Sequence, residues 1–101
     1  MQPSIPRSLL RGSSFLDLDN SNEHKEWSIA VESDVFVSDY HNITENIAEF
    51  HIIALNNGKG EMVFQCTNDE GSTDKFILTL FISRHQRNHL QIDFVSFTEY
   101  E

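Results

Sequence analysis

The alternation of apolar and polar residues begins clearly at Glu26. Trp27, Ile29 and Val31 fall on one phase of an extended chain, and Ser28, Ala30 and Glu32 on the other. Val35 and Val37 then alternate with Phe36 and Ser38, and Ser33-Asp34, between the two segments, is either a tight turn or the middle of one long strand. The pattern is strongest toward the C-terminus. Glu61 to Thr67 alternates, Asn68-Asp69-Glu70-Gly71-Ser72 is turn chemistry, and Lys75 to Ser83 reads KFILTLFIS. Phe76, Leu78, Leu80 and Ile82 line one side of that last segment, and Ile77, Thr79 and Phe81 the other. Apolar residues on both sides predict a central strand covered on each face. A five-residue connection, Arg84 to Asn88, leads to a returning strand, His89 to Thr98, carrying Leu90, Ile92 and Phe94 on one phase. After Phe94 the phase moves to Val95 and Phe97, which predicts a bulge. These three segments form an antiparallel meander.

Asn42 to Leu55 supports two readings. Ile43, Ile47, Phe50 and Ala54 fall at helical spacing, and Asn42 with Glu45 three residues on matches a capping box. Phe50, Ile52 and Ala54 also alternate, and Asn57-Gly58 can close a helix or turn a hairpin toward Glu61. The composition shift predicts a short helix from about Thr44 that gives way to a strand from about Phe50. The expected fold is mainly β: an antiparallel sheet or small β-sandwich of six to eight strands, with a C-terminal meander and one short helix. A wholly helical 43–54 segment would make it α+β. The expected core comprises Trp27, Ile29, Val31, Phe64, Phe76, Leu78, Leu80, Ile82, Ile92 and Phe94.

One domain suits 101 residues, and 39% hydrophobic residues with eight Phe suffice for a core. Residues 1–13 carry both prolines, three serines and Gly12 and read as a flexible arm before a single globular domain over 14–101. Charge then narrows the function. Sixteen acids against seven bases give a net charge of −9, which disfavours nucleic acid and anionic membranes and favours a cationic partner. Acidity also serves solubility alone in many small domains. The opening segment lacks the apolar run of a signal peptide, and no stretch has the roughly 18 apolar residues that span a bilayer. A cytoplasmic setting is expected.

No catalytic constellation stands out. Cys66 is the only cysteine; it lies in phase with Met62 and Phe64, reads as a buried structural thiol, and excludes an intramolecular disulfide and a cysteine-based zinc site. His85 and His89 have metal-ligand spacing but flank a turn beside Arg84 and Arg87, so no metal is expected there. Arg84, His85, Arg87 and His89 instead form a basic tip, facing either a partner's anionic groups or the protein's own acids. Asn57-Gly58-Lys59-Gly60 lacks the rest of a phosphate-binding loop. Asp39/His41 and Glu49/His51 are strand or helix neighbours rather than acid–base machinery. The protein is expected to be no enzyme and to need no cofactor.

The acids remain. Asp17, Asp19, Glu23, Glu26, Glu32, Asp34 and Asp39 form one group, and Asp69, Glu70 and Asp74 a second. On a sheet edge, alternate carboxylates stand about 6–7 Å apart and suit a cationic cleft that normally holds phosphates; edge charges also prevent sheet-to-sheet aggregation. Phe97 and Tyr100 are expected at an exposed end as aromatic anchors. In size, acidity and lack of catalytic residues the chain resembles the small immunity proteins that protect bacteria from nuclease toxins, a likeness of class rather than of motif. It implies a cytoplasmic inhibitor, monomeric in a 1:1 complex, that blocks the active site or substrate groove of a basic toxin domain. A phage or plasmid nucleic-acid mimic and a structural subunit pairing by strand addition are the alternatives.

Overall fold

The structure is a computed structural model and describes residues 13–44, 46–85 and 89–100. Seven strands follow one another: β1 (Ser13–Asp19), β2 (Lys25–Val31), β3 (Phe36–Ile43), β4 (Ile47–Ala54), β5 (Gly58–Thr67), β6 (Thr73–Arg84) and β7 (Leu90–Tyr100). They form two antiparallel sheets, one three-stranded in the order β1-β4-β3, the other four-stranded in the order β2-β5-β6-β7. Their inner faces share one core. Leu16 and Leu18 of β1 and Ala48, Phe50 and Ile52 of β4 meet Phe64, Phe76, Leu78, Leu80 and Ile82 from the other sheet. Phe50 and Phe64 contact edge to face across the layer, with ring centroids 4.9 Å apart.

The fold is mainly β, as the alternation predicts, and no described residue is helical. The expected helix over 44–49 is therefore a turn and the start of β4. Thr44 N–H donates to the Ile47 carbonyl (2.8 Å), and the Thr44 hydroxyl accepts from Ile47 N–H (3.0 Å). A side chain that can cap a helix here closes the β3–β4 turn. The buried set is Ala48, Phe50, Ile52 and Ala54, whereas Ile47, which the helical spacing would bury, is exposed. Burial against the facing sheet decides between the two periods.

The meander β5-β6-β7 is present, with the predicted bulge: Leu80 pairs with Phe94 and Thr79 with Ser96, leaving Val95 extra. Asn68 organises the β5–β6 turn, its Oδ1 accepting from Glu70 N–H (3.0 Å) and Ser72 N–H (2.9 Å). Five expectations need correction. The face of β6 bearing Ile77 and Phe81 has no sheet over it among the described residues: Thr79 on it is buried, but Phe81 is exposed and Ile77 only half-buried. Val31 is 55% exposed, because a register shift after Ile29 turns it outward opposite Val63. Phe94 is exposed on the edge strand β7. Asn57-Gly58 is no hairpin, since β4 and β5 belong to different sheets. Ser13, expected in the arm, already pairs with Ile53.

Ser33-Asp34 is likewise a passage between sheets. The two crossovers, 32–35 and 55–57, run side by side: Leu55 N–H donates to the Val35 carbonyl (2.8 Å), as does Asn56 N–H (3.2 Å). They lie over Gly60, which is buried. A Cβ built there would stand 2.7 Å from Ser33 Oγ, 2.9 Å from Val35 Cβ and 3.1 Å from Phe36 Cε1. Only a residue without a side chain lets this corner close. Gly60→Ala is expected to destabilise the fold by roughly 1–3 kcal/mol, and the neighbouring exposed Lys59→Ala by no more than about 0.5 kcal/mol. Urea unfolding of the two variants measures the difference.

Candidate functional site

Strand parity sorts the charges between the two outer faces. On the three-stranded sheet the core takes Leu16, Leu18, Ala48, Phe50 and Ile52, so Asp17, Asp19 and Glu49 point outward, as does Asp39, paired with His51. Asp17 lies directly opposite Glu49, and Asp19 opposite Ile47. Among the described residues this face holds four carboxylates and no lysine or arginine. The four-stranded sheet differs. Lys25 pairs with Thr67, Lys75 with Gln65 and Lys59 with Phe81, which sets all three lysines of the chain on its outer face. Glu61 and Asp93 share that face with them.

The centre of the acidic face is the Asp17–Glu49 pair. Asp17 is half-buried, with its Oδ1 cut off from solvent. Its pKa is raised from 3.8 to about 6, first by burial, then by a hydrogen bond shared with Glu49 and by the repulsion of that second carboxylate. At about pH 5 Asp17 therefore keeps a proton that an isolated carboxyl would have released. Beside them the His51 ring stacks on Phe15, centroids 4.9 Å apart. Two carboxylates facing one point can accept both arms of a guanidinium, or a lysine ammonium, and either would expel the shared proton.

The other predicted acids scatter. Glu23 lies in the β1–β2 loop, Glu26 at a bulge of β2 with φ of 55°, and Glu32 and Asp34 on the crossover. Asp69 and Glu70 are exposed in the β5–β6 turn. Asp74 is half-buried and accepts from Asn68 Nδ2 (3.2 Å). Phe97 is no exposed anchor: it stacks on Phe76, centroids 5.3 Å and planes 4° apart, against the core. Tyr100 is exposed but pairs with Lys75, on the face away from the acids. In the basic tip, His85 N–H donates to the His89 carbonyl (2.7 Å) and its ring contacts Ser83 Oγ (3.1 Å). Arg84 ends β6, and Arg87 lies outside the described residues. Glu49 and His51, central here, read in the sequence as a surface pair; only the register with β1 and β3 gives them their neighbours.

Two further features stand at the end of the sandwich. Asn20, Ser21, Asn22, Lys25 and Asn46 line an open polar depression of about 520 Å³. Nearby Cys66 is fully buried in the core, and burial together with the charges of Asp74 and Glu99 pushes its thiol up to about 12. A thiol so held is no nucleophile. Among the described residues no helix is long and apolar enough to cross a membrane. Compared with known proteins, the chain matches no family model, no curated protein and no solved structure.

The Asp17 shift has a direction in stability. Between about pH 4 and pH 6 the folded protein retains a proton that the unfolded chain releases, so stability falls as pH rises through this window and stays lowered above it. Asp17→Asn, permanently neutral, is expected to be more stable than wild type at pH 7 and to lose that advantage below about pH 4. Thermal unfolding of both proteins across pH 3.5–7.5 checks it; an equal gap at all pH values would refute the shared proton.

Proposed function

We propose that this is a non-catalytic, acidic binding protein that neutralises a basic protein partner, docking through the outer face of its three-stranded sheet. The observation that carries the reading is the sorting of charge: four carboxylates on that face with no lysine or arginine among its described residues, and every lysine on the opposite one. The rigid two-sheet frame presents them on strands rather than loops, so little order has to be gained on docking. The partner class that fits is a nuclease toxin domain. Its substrate groove is cationic because it holds phosphates, and carboxylates at strand spacing can occupy that groove in their place. In this reading the protein is an immunity protein that acts in the cytoplasm and inhibits by occlusion, one copy per toxin. Docking a cation on Asp17 and Glu49 favours their ionised form, so the complex forms with release of a proton.

A second reading is a structural subunit that pairs by strand addition. Edge strand β7 supports it, with Phe94 and Val95 exposed on a strand whose outer edge pairs with no other described strand.

Capture from the native lysate, with wild-type protein and with the double variant Asp19→Lys/Asp39→Lys, separates the two. The first reading expects a stoichiometric basic partner whose nuclease activity the wild type inhibits. Its affinity should fall at least about tenfold in the variant, weaken with salt, and rise with pH through about 6, where Asp17 ionises. Equal capture by both proteins would overturn the docking face. Salt-indifferent self-association, with no nuclease inhibited, would favour the strand-addition reading.

A further inference from the structure

We propose that His24, Cys66 and Asp74 form a binding site for one divalent transition-metal ion of the zinc type. The three residues come from the β1–β2 loop, β5 and β6, and each offers a ligand atom within 4.8 Å of the other two. Donors bound to one tetrahedral zinc ion stand about 3.5 Å apart, given Zn–S of ~2.3 Å and Zn–N and Zn–O of ~2.0–2.2 Å. Coordination therefore needs the three donors to close by up to about 1 Å, within reach of side-chain rotation.

The surroundings support a closed, organised site. Cys66 and Asp74 are opposite one another in the β5–β6 ladder, so their separation is set by strand pairing. Asn68 Nδ2 donates to Asp74 Oδ1 (3.2 Å), which orients the carboxylate and leaves its other oxygen for an ion. The His24 ring is held between Trp27 and Phe76, at centroid distances of 6.1 and 5.7 Å, and its backbone is fixed by reciprocal bonds with Ser21. Nδ1 of that ring is buried without a hydrogen-bond partner. Aromatic stacking explains the orientation of the ring but satisfies neither nitrogen. A thiolate, an imidazole and a carboxylate together select zinc, cobalt or a similar ion over magnesium or calcium, which take oxygen. On binding, the Cys66 thiol gives its proton to solvent and the sulfur bonds the metal as thiolate; water or a second carboxylate oxygen completes four ligands. The sequence expectation that a single cysteine excludes a zinc site holds only for a site built from several thiolates. The site sits within the end of the sandwich, away from the acidic outer face, and stands or falls independently of the docking reading.

The full chain, stripped of metal by a chelator, is titrated with cobalt(II) and then zinc. One cobalt per chain is expected, with a sulfur-to-cobalt charge-transfer band in the near ultraviolet and the strong visible bands of four-coordination. Because the chain has one cysteine, that band can arise only from Cys66. Zinc should abolish it by displacement and raise the unfolding temperature. His24→Ala and Asp74→Asn, each checked for native circular dichroism, should weaken zinc binding at least about tenfold. Cys66→Ser should lose the band. Absence of the band from folded wild type, or unchanged zinc affinity and thermal shift in folded His24→Ala, would overturn the proposal.

Discussion

The structure depends on one corner. The chain passes from the four-stranded to the three-stranded sheet at 32–35 and returns at 55–57, and the two passages hydrogen-bond to each other over Gly60. Between them lies the β3–β4 hairpin, which is thereby folded down upon β5. Register on both sides follows from that closure, because a shift of one residue in either sheet would turn every buried side chain outward. The far end is closed by a second tie, in which Trp27 Nε1–H donates to the Asp19 carbonyl (2.8 Å) and Asn20 bonds the Thr44 carbonyl through its side chain (2.7 Å). Between these two fastenings the core needs only matched apolar faces.

Much of this was legible before any coordinates, and the exceptions have physical reasons. The strands β5, β6 and β7 have strict period-two patterns with explicit turn residues between them, so local chemistry and global fold agree. Where they diverged, local signals described a real interaction in another setting. The Thr44 hydroxyl does satisfy nearby backbone donors, at a hairpin rather than a helix start. Phe94 and Val31 are apolar residues in good phase, but an edge position and a bulge leave them uncovered. Nothing in a linear pattern says which sheet a strand will join, and Asn57-Gly58 is equally suited to a hairpin and to a change of sheet.

The same limit governed the sites. Asp17 and Asp19 were identifiable as alternating acids, but the partner that alters Asp17 is Glu49, thirty-two positions away and brought opposite by pairing. Phe97 reads in the sequence as a terminal aromatic, but it stacks on Phe76. His24, Cys66 and Asp74 share no motif spacing at all. They meet because the β5–β6 ladder sets two of them opposite and the loop after β1 lays the third against Trp27. Sequence spacing reports ligands that one element supplies; clusters assembled across elements are visible only once topology is known.

The separation of lysines from the outward carboxylates of β1, β3 and β4 gives the molecule an electric dipole as well as a net charge. In the field of a cationic body such a molecule rotates before it touches, so its first collisions are already enriched in one orientation. Diffusion then does part of the work of recognition: the lysine-bearing side, with its exposed Phe81 and Val95, is turned away from that body during approach and stays available to whatever else the cell presents to it.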